Sequence, residues 1–412
     1  MVEIANPAAV RRAAAGDRSG RPPQTVTALP DGDGFAPLTS VPVSQWRRLA
    51  ERAVEPNGYY LPDWELAVNA CAHGRTNVSA LSAWSDAAPT QDGAAGLAGL
   101  LPAISLWRAC RIPLPALVSA EPYGTLCTPL LDRDLASNAA AGLLQAARKA
   151  GAHALILRDV MLHGAAMKAF TQALRQDGTH PRVLHSRLRA ALDATRDADE
   201  LLRDALGAKK LKELRRQRNR LAELGPVSFD VARGPQDVAS ALEIFLKLEA
   251  SGWKGRRGTA LEQDDGDAGF IRRAAKALAE TGQCEIVSLR AGAAPVAAAI
   301  VLRHQDRAFY FKLGVDEQFA KYSPGVQLTL DLTRHLCADR SIRLADSTAS
   351  ADHPMINPIW RGRLAIGDVL LPLRRRDPIV PLIAAALGMR RMVRERARQA
   401  VGAMRRTASG TR

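Results

Sequence analysis

The chain has 412 residues, 47% hydrophobic but only 5% aromatic, which bounds it to a globular protein of two domains or three with cores of Leu, Ala and Val. Five scattered cysteines (Cys71, Cys110, Cys127, Cys284, Cys337) form no CxxC pair, which argues against a disulfide framework or a zinc site and for a reducing cytoplasm. The net charge of +15 is localised: residues 203–220 carry eight Lys/Arg against two acids, residues 374–412 carry eleven Arg against two acids, and the remainder is balanced.

Residues 1–34, rich in Ala, Gly, Pro, Arg and Asp, read as a disordered leader without the apolar core of a secretory signal. Helical spacing follows over 43–54, then a turn and helix over 59–72 with Pro62 early and Asp63 near the N-cap. Residues 78–84 and 97–106 read as strands, 129–152 as a helix ending at Gly151, 153–159 as a strand, 163–178 as a helix and 182–193 as a strand. Residues 197–224 form a strongly helical run, with Leu211, Leu214 and Leu221 on one face and Lys209, Lys212, Arg216 and Arg220 on the other, stopped by Gly225 and Pro226. The pattern restarts as strand 227–232, helix 235–251, loop 252–261, helix 268–282, strands 284–291, 294–304 and 307–315, helix 326–338 and strand 342–347. This β-α-α-β-β-β-α-β order predicts a mixed α/β (α+β) sheet with an antiparallel meander and a helical crossover. A helix followed by a strand occurs at the corresponding place of the first region, a faint sign of internal duplication.

The stretch "FAKYSPGVQL" (319–328) sits where strand 307–315 gives way to helix 326–338. Pro324 fixes φ, Gly325 allows a close backbone approach, and the amides that open the helix are donors for an anion. The same residues fit a plain start with Ser323 as N-cap and Pro324 at N1, and spacing alone leaves both readings open.

Residues from about 200 to 372 resemble the acyltransferase domain of the GNAT superfamily, in its CelD-like, cellulose-biosynthesis acetyltransferase branch. The resemblance rests on "KKLKELRRQRNRLAELGPVSF", "LEASGWKGRRGTAL", "FYFKLGVDEQFAKYSPGVQL", "RLADSTASADHPMINPIW" and "IGDVLLP", in that order. It implies kinship with Fem-type peptidyltransferases and tandem GNAT-like acyl-CoA N-acyltransferase folds: an N-terminal unit over 35–195, an acyltransferase unit over 196–375 and a basic tail helix over 376–412. It further implies acetyl-CoA or another acyl-CoA as co-substrate, without a metal. The pantetheine arm would lie between splayed strands 307–315 and 342–347, and Ser323, Gly325, Val326 and Gln327 would cradle the pyrophosphate. Where the superfamily carries R/Q-x-x-G-x-G/A, "KYSPGV" has a single glycine.

For catalysis, Asp346 at the end of strand 342–347 is the candidate to orient or deprotonate an acceptor, and capping of the following loop is its alternative role. Tyr322 is the candidate to donate to the departing thiolate or to touch the cofactor, against simple packing. Trp253, Lys254 and Lys312 are candidates for substrate binding; a buried loop anchor and a solvated strand face are the alternatives. His353 is a possible base or a surface histidine. Helix 203–220 has no interleaved aromatics, which disfavours nucleic acid as a partner. The apolar-then-basic tail, 378–412, suits either an anionic membrane surface, at the inner face of the membrane, or packing on the domain with solvated arginines. The expected acceptor is a sugar, a polysaccharide precursor or a related cell-envelope metabolite; the alternatives are a non-catalytic accessory protein of polysaccharide biosynthesis with a degraded GNAT site and an aminoacyl-tRNA-dependent Fem-type transferase.

Overall fold

The computed structural model describes residues 26–27, 34–88 and 95–409; the side chains of 26, 27, 253, 254, 398 and 400–409 lie outside that description, as does most of the expected leader. The first half runs β1 (Val26–Thr27), β2 (Phe35–Pro37), α1 (Val43–Glu51), α2 (Pro62–Cys71), β3 (Ser79–Ser85) and β4 (Gly96–Ser105). It continues through α3 (Leu106–Cys110), β5 (Ala116–Ser119), β6 (Leu130–Leu131), α4 (Ala136–Lys149), β7 (Ala154–Met161), α5 (Ala165–Gln176) and β8 (Arg182–Asp193). The second half comprises α6 (Ala198–Ala222), β9 (Val227–Ala232), α7 (Pro235–Ser251), α8 (Trp253–Arg256), α9 (Asp265–Glu280) and β10 (Cys284–Ala291). Then come β11 (Ala294–His304), β12 (Arg307–Val315), α10 (Pro324–Ala338), β13 (Leu344–Asp346), β14 (Gly362–Pro372) and the tail helix α11 (Ile379–Ser409).

Most elements lie where the periodicity predicts them. Helix α6 begins at an Asp197 cap, whose carboxylate accepts the Glu200 N–H at 2.8 Å. It kinks at Gly207, where φ is 73°, and buries Leu214 and Leu221 as the stripe predicts. The expected loop 252–261 contains the short helix α8. Strand β14 has no counterpart among the predicted strands, and it proves central.

All described strands join one sheet, ordered β1-β3-β4-β5-β7-β14-β8-β13-β12-β11-β10-β9, with β2 on β3 and β6 on β4. Outward from the β14–β8 pair, both halves repeat one order. An antiparallel neighbour comes first (β7 on β14, β13 on β8), then a parallel one (β5, β12), then an antiparallel meander. In each half a helix precedes the strand that makes the parallel pair, α4 before β7 and α10 before β13. The last strand of each half is therefore inserted in the sheet of the other. The chain boundary near 195/196 falls between β8 and α6, and the hydrogen-bonded sheet continues across it.

Aromatic scarcity is uneven. Tyr59, Trp64 and Tyr123 of the first half meet Phe270, Phe309 and Phe311 of the second in one aromatic cluster of edge-to-face and tilted pairs. Beside it, buried His304 accepts the Asn57 N–H on Nδ1 at 2.9 Å and lies 2.9 Å from the Ala50 carbonyl through Nε2. The Ala50 contact requires the neutral Nε2–H tautomer. A second latch joins β8 to β13. Arg189, wholly buried, donates to Asp346 at 3.0 Å, and Asp346 is equally buried.

Burial lowers the His304 pKa to about 4. Between that value and its ordinary one the unfolded chain holds a proton that the folded chain lacks, so this contribution is complete at neutral pH and is lost as pH falls. The stability gap between wild type and His304→Gln should shrink by about 3 kcal/mol from neutral pH to about pH 4. Urea midpoints across that range measure it, and a pH-independent gap refutes the assignment. Asp346→Ala should cost about 3–5 kcal/mol by stranding the Arg189 charge, and Arg189→Met/Asp346→Leu should recover most of it. Denaturation of the three variants checks this; a single variant within about 1 kcal/mol of wild type would contradict it.

Candidate active site

Strands β12 and β13 pair in parallel only from Arg307/Leu344 to Phe309/Asp346. Beyond that point β12 runs on to Val315 while the other chain turns away as the 347–356 loop. The gap is a cavity of about 370 Å³ walled by Tyr310, Phe311, Lys312, Leu313 and Val315 of β12 and, across it, by the 347–356 loop, including Thr348, His353 and Met355. Its inner end is tied shut by Thr348, whose Oγ1 donates to the Tyr310 carbonyl at 2.7 Å and whose N–H donates to Asp346 Oδ1 at 2.8 Å. Thr348 holds φ at 49°, a left-handed conformation that a β-branched residue adopts only under constraint.

Asp346 thus sits at the expected strand end, but both carboxylate oxygens are engaged, one by Arg189 and one by the Thr348 amide. That is the geometry of a loop anchor, and it matches the capping role more closely than proton abstraction. Arg189 was not among the residues singled out from sequence. Its polar character on a strand suggests a solvated face, yet Leu188 is 56% exposed and Arg189 is buried.

A β-bulge in the β11–β12 ladder skips Phe311, since Ile300 opposes Lys312 and Val301 opposes Tyr310. Phe311 and Lys312 consequently turn to the same side. The Lys312 ammonium lies 5.8 Å from the Phe311 ring and 5.7 Å from the Tyr123 ring. It also lies 3.3 Å from Glu249, a buried carboxylate whose other oxygen accepts the Leu261 N–H. Lys312 therefore lines the cavity while neutralising a buried acid.

A 3₁₀ turn over Glu317–Tyr322 leads into α10. Ser323 is its joint, with φ 53° and ψ 50°, and its side chain makes no capping bond. The helix starts at Pro324, two residues earlier than predicted. The Ser323 amide donates to the Ala320 carbonyl of the turn, and the Gln327 amide donates to the Ser323 carbonyl as the first bond of the helix. Gln327 is buried and its side chain donates to the Leu214 carbonyl of α6 at 2.8 Å. The expected cradle of four thus narrows to the Gly325 and Val326 amides, which precede the first helical bond. A Cβ on Gly325 would come within 3.0 Å of Leu313 and 3.4 Å of Met355; both line the cavity, so the glycine keeps this wall open. Tyr322 is buried against Phe319, with the Lys321 ammonium 5.0 Å from its ring, and is not part of the cavity wall.

The Trp253 and Lys254 side chains lie outside the described residues. Their segment approaches the turn before α10, since a Cβ on Gly252 would lie 3.2 Å from Glu317 Oε1 and Arg256 pairs with Glu317 at 2.8 Å. His353 does face the cavity. Its Nδ1 accepts the Met355 and Ile356 amides at 3.3 and 3.4 Å, which occupies the lone pair a base would use.

A crystal structure of FemX superposes on the chain with a TM-score of 0.54, at 12% identity, over 84% of this chain and 98% of that one. The C-terminal domain of a protein from Agrobacterium fabrum named as a lysylphosphatidylglycerol synthetase gives 0.50, at 12% identity, over 84% and 96%. At such identities the likeness is one of fold, and the fold is the tandem GNAT-like one. No curated protein matches the chain in sequence. Residues 208–353 match the family model of the acetyltransferase (GNAT) domain, and over that stretch, which contains β12, α10 and β13, the chain carries a GNAT-type acyltransferase domain.

Proposed function

We propose that the chain transfers an acyl group from acyl-CoA, acetyl-CoA foremost, to a nitrogen or oxygen of a sugar, a polysaccharide precursor or a related cell-envelope metabolite, as the CelD-like branch would. The observation that carries this reading is the cavity at the β12–β13 splay, bordered by the first turn of α10. A narrow pantetheine arm fits a cavity of about 370 Å³, and the Gly325 and Val326 amides with the α10 dipole suit a pyrophosphate. Bound acyl-CoA supplies the thioester. In this scheme Asp346 positions the 347–356 loop through Thr348 and Lys312, which lines the cavity, contacts the acceptor; Trp253 and Lys254 remain acceptor-binding candidates from the sequence, and buried Tyr322 supports the turn before α10. The acyltransferase unit spans 196–375, the unit over 35–195 supports it through β8, and the protein works in the cytoplasm.

Fem-type transfer from aminoacyl-tRNA is the second reading, favoured by the fold likeness to FemX. It predicts that no acyl-CoA binds. We place the tail at an anionic membrane surface. Leu382, Met389, Met392 and Val393 of α11 are more than half exposed and are flanked by arginines. No helix among the described residues is long and apolar enough to cross a membrane.

Calorimetric titration with acetyl-CoA should show binding by the wild type and at least about thirtyfold weaker binding by Gly325→Glu, about 2 kcal/mol, because the new carboxylate meets the pyrophosphate. Unchanged affinity in the variant moves the cofactor elsewhere; absence of binding by any acyl-CoA removes the basis of the first reading. Vesicles rich in phosphatidylglycerol should sediment the wild type and not Met389→Glu/Val393→Glu. Equal sedimentation of both would end the membrane assignment.

A further inference from the structure

A second cavity, of about 460 Å³, lies between α11 and the face of the sheet formed by β7, β8 and β14. It shares no wall residue with the cleft at β12 and β13. Five arginines line it: Arg158 from β7, Arg182 from β8, and Arg390, Arg391 and Arg394 from α11. Two carboxylates accompany them; one is engaged by the backbone, and the other neutralises one of the five arginines. Asp368 accepts the Asp159 amide at 3.0 Å, and Glu395 pairs with Arg391 at 2.7 Å.

Arg158 is the unusual member. Its backbone N–H donates to Ser119 Oγ, but its half-buried guanidinium makes no hydrogen bond or ion pair with any described residue. A guanidinium keeps its charge at any pH the fold survives, so a half-buried one without an acceptor among the described residues is available to an anion in the cavity. Burial foremost, and next the Arg391 charge, hold the neighbouring His185 imidazole below its ordinary pKa against the opposing pull of Asp368. The register of β14 slips against both β7 and β8 around Asp368, and a bulge of this kind opens a sheet face. Val118, Ile156 and Leu387 provide an apolar floor.

We infer that this cavity is a binding site for a phosphate ester, its phosphate held by Arg158 and Arg394 and its carbon portion lying on the apolar floor; Arg390 and Arg391, which bond the Cys110 carbonyl and Glu395, add to the positive surround. Planar guanidinium forks converging on one volume suit a tetrahedral, multiply charged oxyanion. The phosphate ester is either a soluble phosphorylated metabolite or an anionic phospholipid headgroup reached from the exposed apolar side of α11. The site stands independently of the acyltransferase reading, because neither cavity supplies residues to the other.

The test uses full-length wild type, Arg158→Gln and Arg394→Gln, the last on an exposed helical surface where folding is not at risk. One arm titrates inorganic phosphate by calorimetry. The other floats the protein with vesicles of phosphatidylglycerol and phosphatidylcholine, against phosphatidylcholine alone. Phosphate binding weakened about tenfold or more in both variants supports the site and a soluble ligand. Loss of flotation in both variants without phosphate binding supports the site and a lipid source. In phosphate-free buffer Arg158→Gln should unfold no earlier than wild type, and added phosphate should stabilise the wild type more. Wild type that binds neither probe, or variants that match it on both, overturns the inference.

Discussion

Strand β13 is three residues long, and the candidate active site depends on how it is held. On one side it meets β12, whose departure from it opens the cleft. On the other it meets β8, a strand contributed by the first half. The Arg189–Asp346 pair crosses that second seam buried from bulk solvent. The first half therefore acts as more than a neighbour of the catalytic unit: it supplies the rail on which one lip of the cleft is mounted. The aromatic cluster and His304 secure the same relationship at other points of the junction, so the lip is tied through both backbone and side chains.

Two left-handed non-glycine residues mark the edges of the cleft, Ser323 where the chain enters α10 and Thr348 where it leaves β13. Each such residue costs of order 1–3 kcal/mol and persists only where the surroundings over-determine it. For Thr348 those surroundings are visible, in its paired bonds to Asp346 and Tyr310. The bulge at Phe311 adds a third irregularity, bringing a cation and an aromatic ring to the same side of one strand. These three irregularities shape the walls of one cavity, as the slip beside Asp368 shapes the sheet face elsewhere.

Much of the architecture was legible because it follows local period. The α6 stripe, the meander of β10 to β12 and the strand–turn–helix at Ser323 all rest on alternation and helical spacing. What escaped depends on distant partners. Hydropathy favours Leu188 inside and Arg189 outside, and the need of Asp346 for a counter-charge reverses that choice. Strand β14 is recognisable as a run of apolar residues, yet nothing local says that it pairs within the first half. Strict alternation would separate Phe311 from Lys312, and the bulge that unites them is invisible in one strand alone. Gln327 resembles a ligand donor until Leu214, over a hundred positions earlier, is seen to take its side chain.

The exchange of terminal strands also bears on how the protein is made. Strand β8 pairs only with β13 and β14, so once synthesised it has no partner from its own half. Its first neighbour begins at Leu344 and its second at Gly362, and at ribosomal speeds of about 5–20 residues per second that separation is roughly 8–35 s of waiting. During that interval a long strand edge stands open on both sides, as does the free side of β7. Such edges invite pairing with other chains. Biogenesis, more than the finished fold, is where this topology is exposed: the nascent first half must be sheltered until the last strand arrives to close it.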